Sequence, residues 1–440
     1  MVRLRLYWRL LAACAAFVVV LATFATARIR PFVTSPGAAA TDRVDVDVAG
    51  RGDLFDADRP HSLRLTFRDA DYQRMLDAYF TEGAKEYLEA DLVVDGVLVP
   101  SVGVRLKGNS TLGALSRNGE TRGRFPGGGG GFGGGGFART PLRAEEPETL
   151  PWLVSFDHFA AGRRFQGHEE IALRVGSGAV LNEAVSLELL RAAGEAAQRY
   201  TYASLKVNDR PAVARLVVEH PDKKFAERLG ADGVLYKALS TSRFADQGGD
   251  PVDYADDFKQ VTMKGSQDLQ PVIDLIRWAT TASDAAFDRE LAGHVDVEAF
   301  ARYAALQNLL LNFDDMAGPG HNYYLWYDLA RRRFTVVAWD HNLTFSGNAG
   351  QGPYDAARIG GPRGGNALKE RALASAVFRP VYERAYRDLY RTLFASGLAL
   401  STVDKVASAA GGAAGAEAAR LRDLIARRTE LLAANEVVRG

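Results

Sequence analysis

The spacing of apolar residues changes along the chain, and this change limits the possible folds more than any other feature. Up to about residue 218, short runs alternate between apolar and polar residues, as in 62–67, which is typical of strands with one buried face. From Asp268 onward, apolar residues recur at helical spacing, and Asp296 is a good N-cap for one of the predicted helices. A strand-rich first half before a helix-rich second half predicts an α+β fold. We predict strands near 92–94, 102–106, 153–156, 203–207 and 213–218, and helices near 70–79, 180–193, 296–311, 368–396 and 402–435.

The N-terminus contains the one candidate membrane segment of the sequence. Three arginines precede an apolar run over residues 10–27, close to the roughly 20 residues that a spanning helix needs. A retained signal anchor and a cleaved signal peptide both fit, because residues 25–27 read Ala-Thr-Ala, a possible cleavage site. We expect this segment to occupy residues 1–30 and a linker to occupy 31–53. The rest of the chain is then expected to be membrane-anchored or secreted and extracytoplasmic, with the membrane as a partner.

The charge balance excludes one class of partner. Lys and Arg number 54 and Asp and Glu number 54, so the formal net charge is zero. Without excess basic surface to displace counterions, nucleic acid is not an expected partner. The single cysteine, Cys14, also excludes a disulfide framework and a cysteine-based zinc site.

A glycine-rich insert at residues 123–139 interrupts the strand-rich half. It lacks the lysine and hydroxyl residue that follow the glycines of a phosphate-binding P-loop. A surface flap and a lid over a site both remain open for it.

The residues best suited to chemistry lie between Asn312 and Phe345. An acidic loop with Asp314 follows a helix, and two aromatic strands then fold back as a hairpin with Asn322 before it and Asp340 after it. With the turn centred near Ala330, Asn322 is predicted to lie opposite residue 338. Asp340 then lies roughly 7 Å or less beyond that pair.

Two carboxylates and a carboxamide at one loop edge suit a hard, oxygen-liganded ion such as Mg²⁺. The same set fits phosphoryl transfer, in which one Asp accepts the proton of the acceptor hydroxyl while an Asn and a second Asp hold metal. Two other interpretations stay open. Asp314 and Asp315 could simply cap a helix end, and His321 and His341 could be ligands of zinc or iron rather than hydrogen-bonding neighbours.

The order of several short motifs resembles the spore-coat protein H (CotH) kinase-like family, over roughly residues 54 to 396. The strongest matches are Asp314, the run His321-Asn322-Tyr323-Tyr324-Leu325, and the run from Trp339 to Phe345. Further matching segments are 54–56, 103–111, 155–159, 164–167, 216–219 and 235–238.

The resemblance implies an atypical protein-kinase-like fold of two lobes that binds ATP with Mg²⁺ or Mn²⁺. The strand-rich nucleotide-binding lobe is expected at 54–238, and the helix-rich catalytic and metal lobe at 239–440 with its hairpin at 322–340. By the same resemblance Asp314 is the catalytic residue, and Asn322 and Asp340 are the metal ligands.

Two acidic residues are implied to serve the cofactor. Glu183 matches the acidic partner on the small-lobe helix, and Glu219 ends the strand that leads to the adenine side. The family's lysine before the Ser-Phe-Asp motif is replaced by Leu153. Its charge could come instead from Lys107 or Arg105.

Two further departures from the family pattern surround the small-lobe helix. The family usually has an arginine where this chain has Asn182, and its Asn/Gly-rich segment is replaced by residues 173–177. The expected function is transfer of the ATP γ-phosphoryl to a hydroxyl of an envelope or coat protein. The alternative is a catalytically degenerate, kinase-like scaffold or binding protein of the cell envelope.

Overall fold

The structure, a computed structural model, describes residues 17, 44–108, 111–122, 141–175, 180–266, 268–355, 365–411 and 414–440. The glycine-rich insert, the first part of the linker and, apart from residue 17, the predicted N-terminal segment lie outside the described residues. Among the residues that are described, no helix has both the length and the apolar character needed to cross a bilayer.

The first half is dominated by strands. In chain order it contains β1 (Val46–Val48), β2 (His61–Thr66), α1 (Asp69–Glu82), β3 (Leu88–Val94), β4 (Val97–Leu106), β5 (Leu115–Arg117), β6 (Glu120–Thr121), β7 (Leu142–Arg143), β8 (Trp152–Ser155), β9 (Arg163–Phe165), β10 (Glu170–Leu173), α2 (Leu181–Ala192), β11 (Tyr200–Val207) and β12 (Val213–Glu219).

The second half is dominated by helices. It contains α3 (Lys223–Ala226), β13 (Gly233–Ala238), β14 (Phe258–Gln260), α4 (Gln270–Thr281), α5 (Asp284–His294), α6 (Val297–Leu309), β15 (Tyr323–Asp328), β16 (Arg333–Ala338), α7 (Ala367–Ala374), α8 (Phe378–Leu389), a π-helical turn (Tyr390–Ala395), α9 (Leu398–Ala410), α10 (Gly415–Ala433) and α11 (Glu436–Arg439). The predicted α+β class is confirmed.

A closed barrel is the main feature of the first half. Its strands follow the order β10-β12-β11-β2-β3-β4-β8, and β10 and β8 pair to close it. Alternate residues point into the barrel, as Leu63 and Leu65 do on β2 while Arg64 between them is exposed. Closure leaves no unpaired edge, and the inward side chains form one apolar core.

The hairpin is part of a four-stranded sheet in the second half, with the order β14-β13-β15-β16. The predicted register is wrong by one residue, since Tyr323, not Asn322, pairs with Ala338. The reason is the turn, which is closed by the pair Asp328 and Arg333 rather than centred on Ala330. Strand β13, which ends at the predicted lobe boundary, pairs with β15; the boundary itself stays a prediction.

Helix α2 is preceded by barrel strands in the sequence but packs with the helical half. Its apolar residues belong to the same core as those of α6, α8 and α9, and it contacts α9 directly. The N-cap prediction is confirmed at α6, where Asp296 Oδ1 accepts a hydrogen bond of 3.2 Å from Ala299 N. These elements leave the ends of β4, β10, β16 and α2 facing one another.

Candidate functional site

Asp314 lies in the loop after α6, and two donors hold its carboxylate. The Gly320 amide donates to Oδ1 at 2.5 Å, and the Asn322 side-chain amide donates to Oδ2 at 2.9 Å. The structure therefore brings together two of the predicted site residues. Because Asn322 immediately precedes β15, the start of that strand positions the second donor.

Two glycines allow the chain to wrap closely around Asp314. A Cβ at Gly320 would lie 2.5 Å from Asp314 Oδ2, and a Cβ at Gly318 would lie 2.4 Å from Asp314 Cα. Side chains do not approach this closely without displacement, so the Gly-Pro-Gly segment acts as a cradle for the carboxylate.

The adjacent carboxylate, Asp315, is used differently. It forms a buried ion pair with Lys369 and accepts a hydrogen bond of 2.8 Å from Ala317 N. Only Asp314 of the two therefore faces the Asn322 side.

The charge of Asp340 affects the pKa of Asp314. Burial raises the pKa of Asp314 to about 6, and the negative charges of Asp340 and Asp315 act in the same direction. The hydrogen bonds from Gly320 and Asn322 oppose the rise. Asp314 is thus hydrogen-bonded to Asn322 and affected by the charge of Asp340.

Asp340 directly follows β16 and has a left-handed backbone, with φ 56°. Its Oδ1 lies 3.2 Å from Arg174 Nη2, and the same nitrogen forms an ion pair with Glu183 of α2. One guanidinium therefore connects the end of β10, helix α2 and the end of the hairpin. Burial by itself raises the pKa of Asp340, but Arg174 and Lys107 hold it below its ordinary value.

Two lysine ammonium groups lie beside the Trp339 ring. Lys107 Nζ is 5.0 Å from the ring centre, and Lys237 Nζ is 5.5 Å from it. Burial and the charges of Arg174 and Lys237 together lower the pKa of Lys107 to about 7. Burial lowers the pKa of Lys237 to about 8, although Glu170 and Asp340 act against the change. Within the described part of the chain, neither lysine forms an ion pair with a carboxylate.

Strand alternation explains how the site is charged without a lysine at position 153. The residues next to Leu153 on β8 point into the barrel core, so Leu153 points outward and is flanked by Arg105 on β4 and Ala172 on β10. Leu153 is itself buried and apolar. The cations come instead from the residues just after those flanking strands, Lys107 and Arg174.

A family model with the description CotH kinase protein matches residues 136–429 of the chain. The chain belongs to the CotH kinase protein family. The match covers the hairpin and all of the predicted site residues except Arg105 and Lys107. It confirms the resemblance that the motifs indicated.

A curated relative of this CotH-family chain is the inner spore coat protein H of Bacillus subtilis (strain 168). The two are 26% identical over 246 residues, which cover 54% of this chain and 66% of the relative. Among solved structures, a chain of the Shewanella oneidensis MR-1 HipA–HipB–operator DNA complex aligns with a TM-score of 0.35 and 11% identity. That alignment covers 62% of this chain and 60% of the other, and its TM-score is too low to establish a shared fold.

Glu219, implied by the family to serve the cofactor, contacts a different set of groups. Arg228 donates to its two oxygens at 2.8 and 2.5 Å, and Arg199 N donates to Oε2 at 3.0 Å. His168 Nδ1 lies 3.7 Å from Oε1. Among the described residues, none of these partners forms a hydrogen bond or an ion pair with Asp314 or Asp340.

The possible zinc or iron site gains no support. In the described ranges, no three His, Cys, Asp or Glu side chains are grouped closely enough to hold a metal ion. His341 is fully buried, and burial lowers its pKa to about 4. His321 Nδ1 lies 3.5 Å from the Met316 carbonyl.

Sequence reasoning missed Arg174 and the role of Lys237. Arg174 lies in the segment that was seen only as a departure from the family pattern, and Lys237 lies in a matching segment whose lysine was given no role. An available signal was their position, because each lies at or near the end of a strand next to the predicted site.

Proposed function

We propose that this CotH-family chain is a phosphotransferase that moves the γ-phosphoryl of ATP to a hydroxyl group of an envelope or coat protein. One observation carries the proposal. The charge of Asp340 raises the pKa of Asp314, and the half-buried ammonium groups of Lys107 and Lys237 lie beside the Trp339 ring without an ion-pair partner among the described residues.

The two lysines argue for an anionic ligand. Withdrawing an ammonium group from water without a close ion-pair partner is costly, and desolvation lowers the pKa values of both lysines despite the charge of Asp340. A polyphosphate beside Trp339 would supply the missing negative charge to both. The guanidinium of Arg174 is less available to a polyphosphate, because Glu183 and Asp340 already contact it.

The carboxylates fit a divalent cation that is bound together with phosphates. Mg²⁺ is usually held by one or two carboxylates plus substrate oxygens and water, rather than by a cage made only of protein groups. Asp340 Oδ1 is buried and accepts no hydrogen bond of good geometry, and the Asn322 amide oxygen is the second predicted ligand. Bound Mg²⁺ or Mn²⁺ would neutralise charge on the phosphates.

Asp314 is the proposed proton acceptor. With a pKa of about 6 its carboxylate is mostly ionised at neutral pH, and Gly320 and Asn322 fix its orientation. In the proposed reaction the acceptor hydroxyl gives its proton to Asp314 while its oxygen bonds to the γ-phosphorus. The bond from that phosphorus to the β–γ bridging oxygen breaks, and ADP leaves.

The proposed acceptor comes from the name of the relative, and the proposed location comes from the N-terminal sequence. The Bacillus subtilis relative is named as an inner spore coat protein, which favours a coat or envelope protein as the acceptor. This chain covers 66% of that relative. Membrane attachment or secretion through the N-terminal segment, and the lobe boundary at 238, remain predictions from the sequence.

A catalytically degenerate scaffold is the second candidate. The observation that favours it is Leu153, a buried apolar residue where the family commonly has a lysine. In this case the residues around Trp339 would bind a nucleotide or another polyanion without transferring a phosphoryl group.

The test is to incubate the full chain with labelled ATP, Mg²⁺ or Mn²⁺ and a generic protein acceptor. We expect incorporation by the wild type and a loss of about 100-fold or more in Asp340→Asn and Asp314→Asn. Asp328→Asn is the matched control. Asp328 ends the first strand of the same hairpin, and its side chain is 24% exposed, against 22% for Asp340.

Incorporation that survives Asp340→Asn at the level of Asp328→Asn removes the proposed metal site. If the wild type binds ATP without incorporating phosphate, and both Lys107→Met and Lys237→Met weaken that binding, the result would favour the scaffold instead.

A further inference from the structure

The turn that follows Asp340 is attached to helix α2 by neutral hydrogen bonds, separate from the Arg174 ion pairs. The central group is the Thr344 hydroxyl, which is fully buried. It donates to the His341 carbonyl at 2.7 Å, and Ser186 Oγ of α2 lies 2.8 Å away. Ser186 is fully buried as well.

Asn182 supplies a second attachment one helical turn earlier on α2. Its side-chain amide donates to the Asn342 carbonyl and lies 3.4 Å from the Thr344 carbonyl. Its own carbonyl lies 2.8 Å from Ser186 Oγ and 3.2 Å from Thr344 Oγ1. Position 182 is a departure from the family pattern, so this chain has a neutral link where an arginine is usual.

The turn needs such support because Asp340 has φ 56°. A left-handed backbone at a residue other than glycine is strained and persists only where its surroundings hold it. Helix α2 is a firm support, since its apolar residues are part of the core of the helical half and it packs against α9.

We propose that Thr344 is a positioning residue that holds the Asp340 turn against α2, so that the Asp340 carboxylate is placed for the divalent cation. This inference rests on the proposed function. It assigns to Thr344 and Ser186 a task that the Arg174 ion pair does not perform, because that contact reaches only the Oδ1 atom of Asp340 whereas the Thr344 hydroxyl bonds to the backbone of the turn.

The experiment compares Thr344→Val with Thr344→Ser in the full chain. Valine keeps the shape and removes the hydroxyl, while serine keeps the hydroxyl. Binding of labelled ATP is measured in excess Mg²⁺ and again in EDTA. The control is Thr429→Val on α10, which removes a hydroxyl bond of 2.8 Å to the Ile425 carbonyl, against 2.7 Å for the bond from Thr344 to the His341 carbonyl.

We expect Thr344→Val to weaken ATP binding in Mg²⁺ by about fivefold to tenfold, the effect of losing one buried hydrogen bond. Binding in EDTA should change less than twofold. Thr344→Ser and Thr429→Val should stay near the wild type in both conditions. Ser186→Ala should give a smaller effect in the same direction. Equal weakening with and without Mg²⁺, or no weakening at all, overturns the inference.

Amide hydrogen exchange over residues 340–345 separates this inference from the proposed function. We expect faster exchange there in Thr344→Val than in Thr344→Ser or Thr429→Val. If the wild type binds no ATP, the proposed function fails. The exchange measurement then decides the attachment alone: faster exchange supports it, and unchanged exchange overturns it.

Discussion

Glu183 and Glu219 are both buried carboxylates implied by the family to serve a cofactor, but they have different surroundings. Glu219 is 0% exposed, and Arg228 and a backbone amide hydrogen-bond to its two oxygens. Glu183 shares Arg174 with Asp340, and its Oε2 has no hydrogen-bond partner within the described chain.

The two carboxylates differ in whether all of their oxygens have hydrogen-bond partners. The Glu219 group is complete, which is what a structural ion pair requires. Around Glu183 and Asp340, one oxygen of each carboxylate lacks a hydrogen-bond partner and two nearby ammonium groups lack an ion-pair partner among the described residues, which is a sign of a site that a ligand completes.

Removing the arginine from each group should give the largest effects. Arg174→Met removes the guanidinium that forms the ion pairs of both Glu183 and Asp340, and we expect a loss of about 3–5 kcal/mol in unfolding free energy. Arg228→Met should cost less, about 1–3 kcal/mol, because part of that side chain is in solvent. Denaturant unfolding measures both. Only Arg174→Met should also weaken ATP binding, and an equal loss of binding in both variants would contradict the comparison.

A second variant crowds Asp314 instead of removing a charge. Gly320→Ala places a Cβ 2.5 Å from Asp314 Oδ2, so the carboxylate must move. We expect phosphoryl transfer to fall by about 10- to 100-fold, since small displacements of a reacting group are costly. Gly293→Ala on α5 is the control, because nothing lies within 4 Å of its new Cβ. If Gly320→Ala is as active as Gly293→Ala, this loop does not position Asp314.

The lysines should show opposite effects on binding and stability. Lys107→Met and Lys237→Met are each expected to weaken ATP binding by about tenfold, because each removes one charged contact to a phosphate group. Both should raise the melting temperature of the ligand-free protein, because each removes a desolvated ammonium group that has no close ion-pair partner among the described residues. Differential scanning calorimetry and labelled-ATP binding check the two effects. A fall in both melting temperature and affinity would indicate a structural role like that of Arg228.

The smallest expected effect is a pH dependence. The pKa values of Lys107, about 7, and Lys237, about 8, lie below the ordinary lysine value. As the pH rises from 7 to 8, both ammonium groups lose protons, so ATP affinity should fall by about fivefold. Over that range the folded protein binds fewer protons than the unfolded chain, so the unfolding free energy of the ligand-free protein should rise with pH. Calorimetric binding in two buffers of different ionisation enthalpy should show proton uptake, and proton release would contradict it.

Local features were predictable from the sequence because neighbouring residues determine them. The helix expected at 180–193 is present as Leu181–Ala192, and the N-cap Asp296 and the two hairpin strands are present as well. The hairpin register was one residue off, since it depends on the turn geometry that the apolar pattern does not encode. The contact between Asp314 and Asn322 was predictable for the same reason: eight residues and a Gly-Pro-Gly break separate them.

The amino-acid order by itself determined the α+β class, the family, and the set of oxygen-bearing side chains around the hairpin. Only the tertiary structure decided which cations meet them. Lys107 and Arg174 follow directly after β4 and β10, and Lys237 lies in β13. Barrel closure and the pairing of β13 with β15 bring these three residues to one Trp339 ring. The electrostatic energy between charges depends on their separation in space and on burial, so linear spacing could not reveal this group.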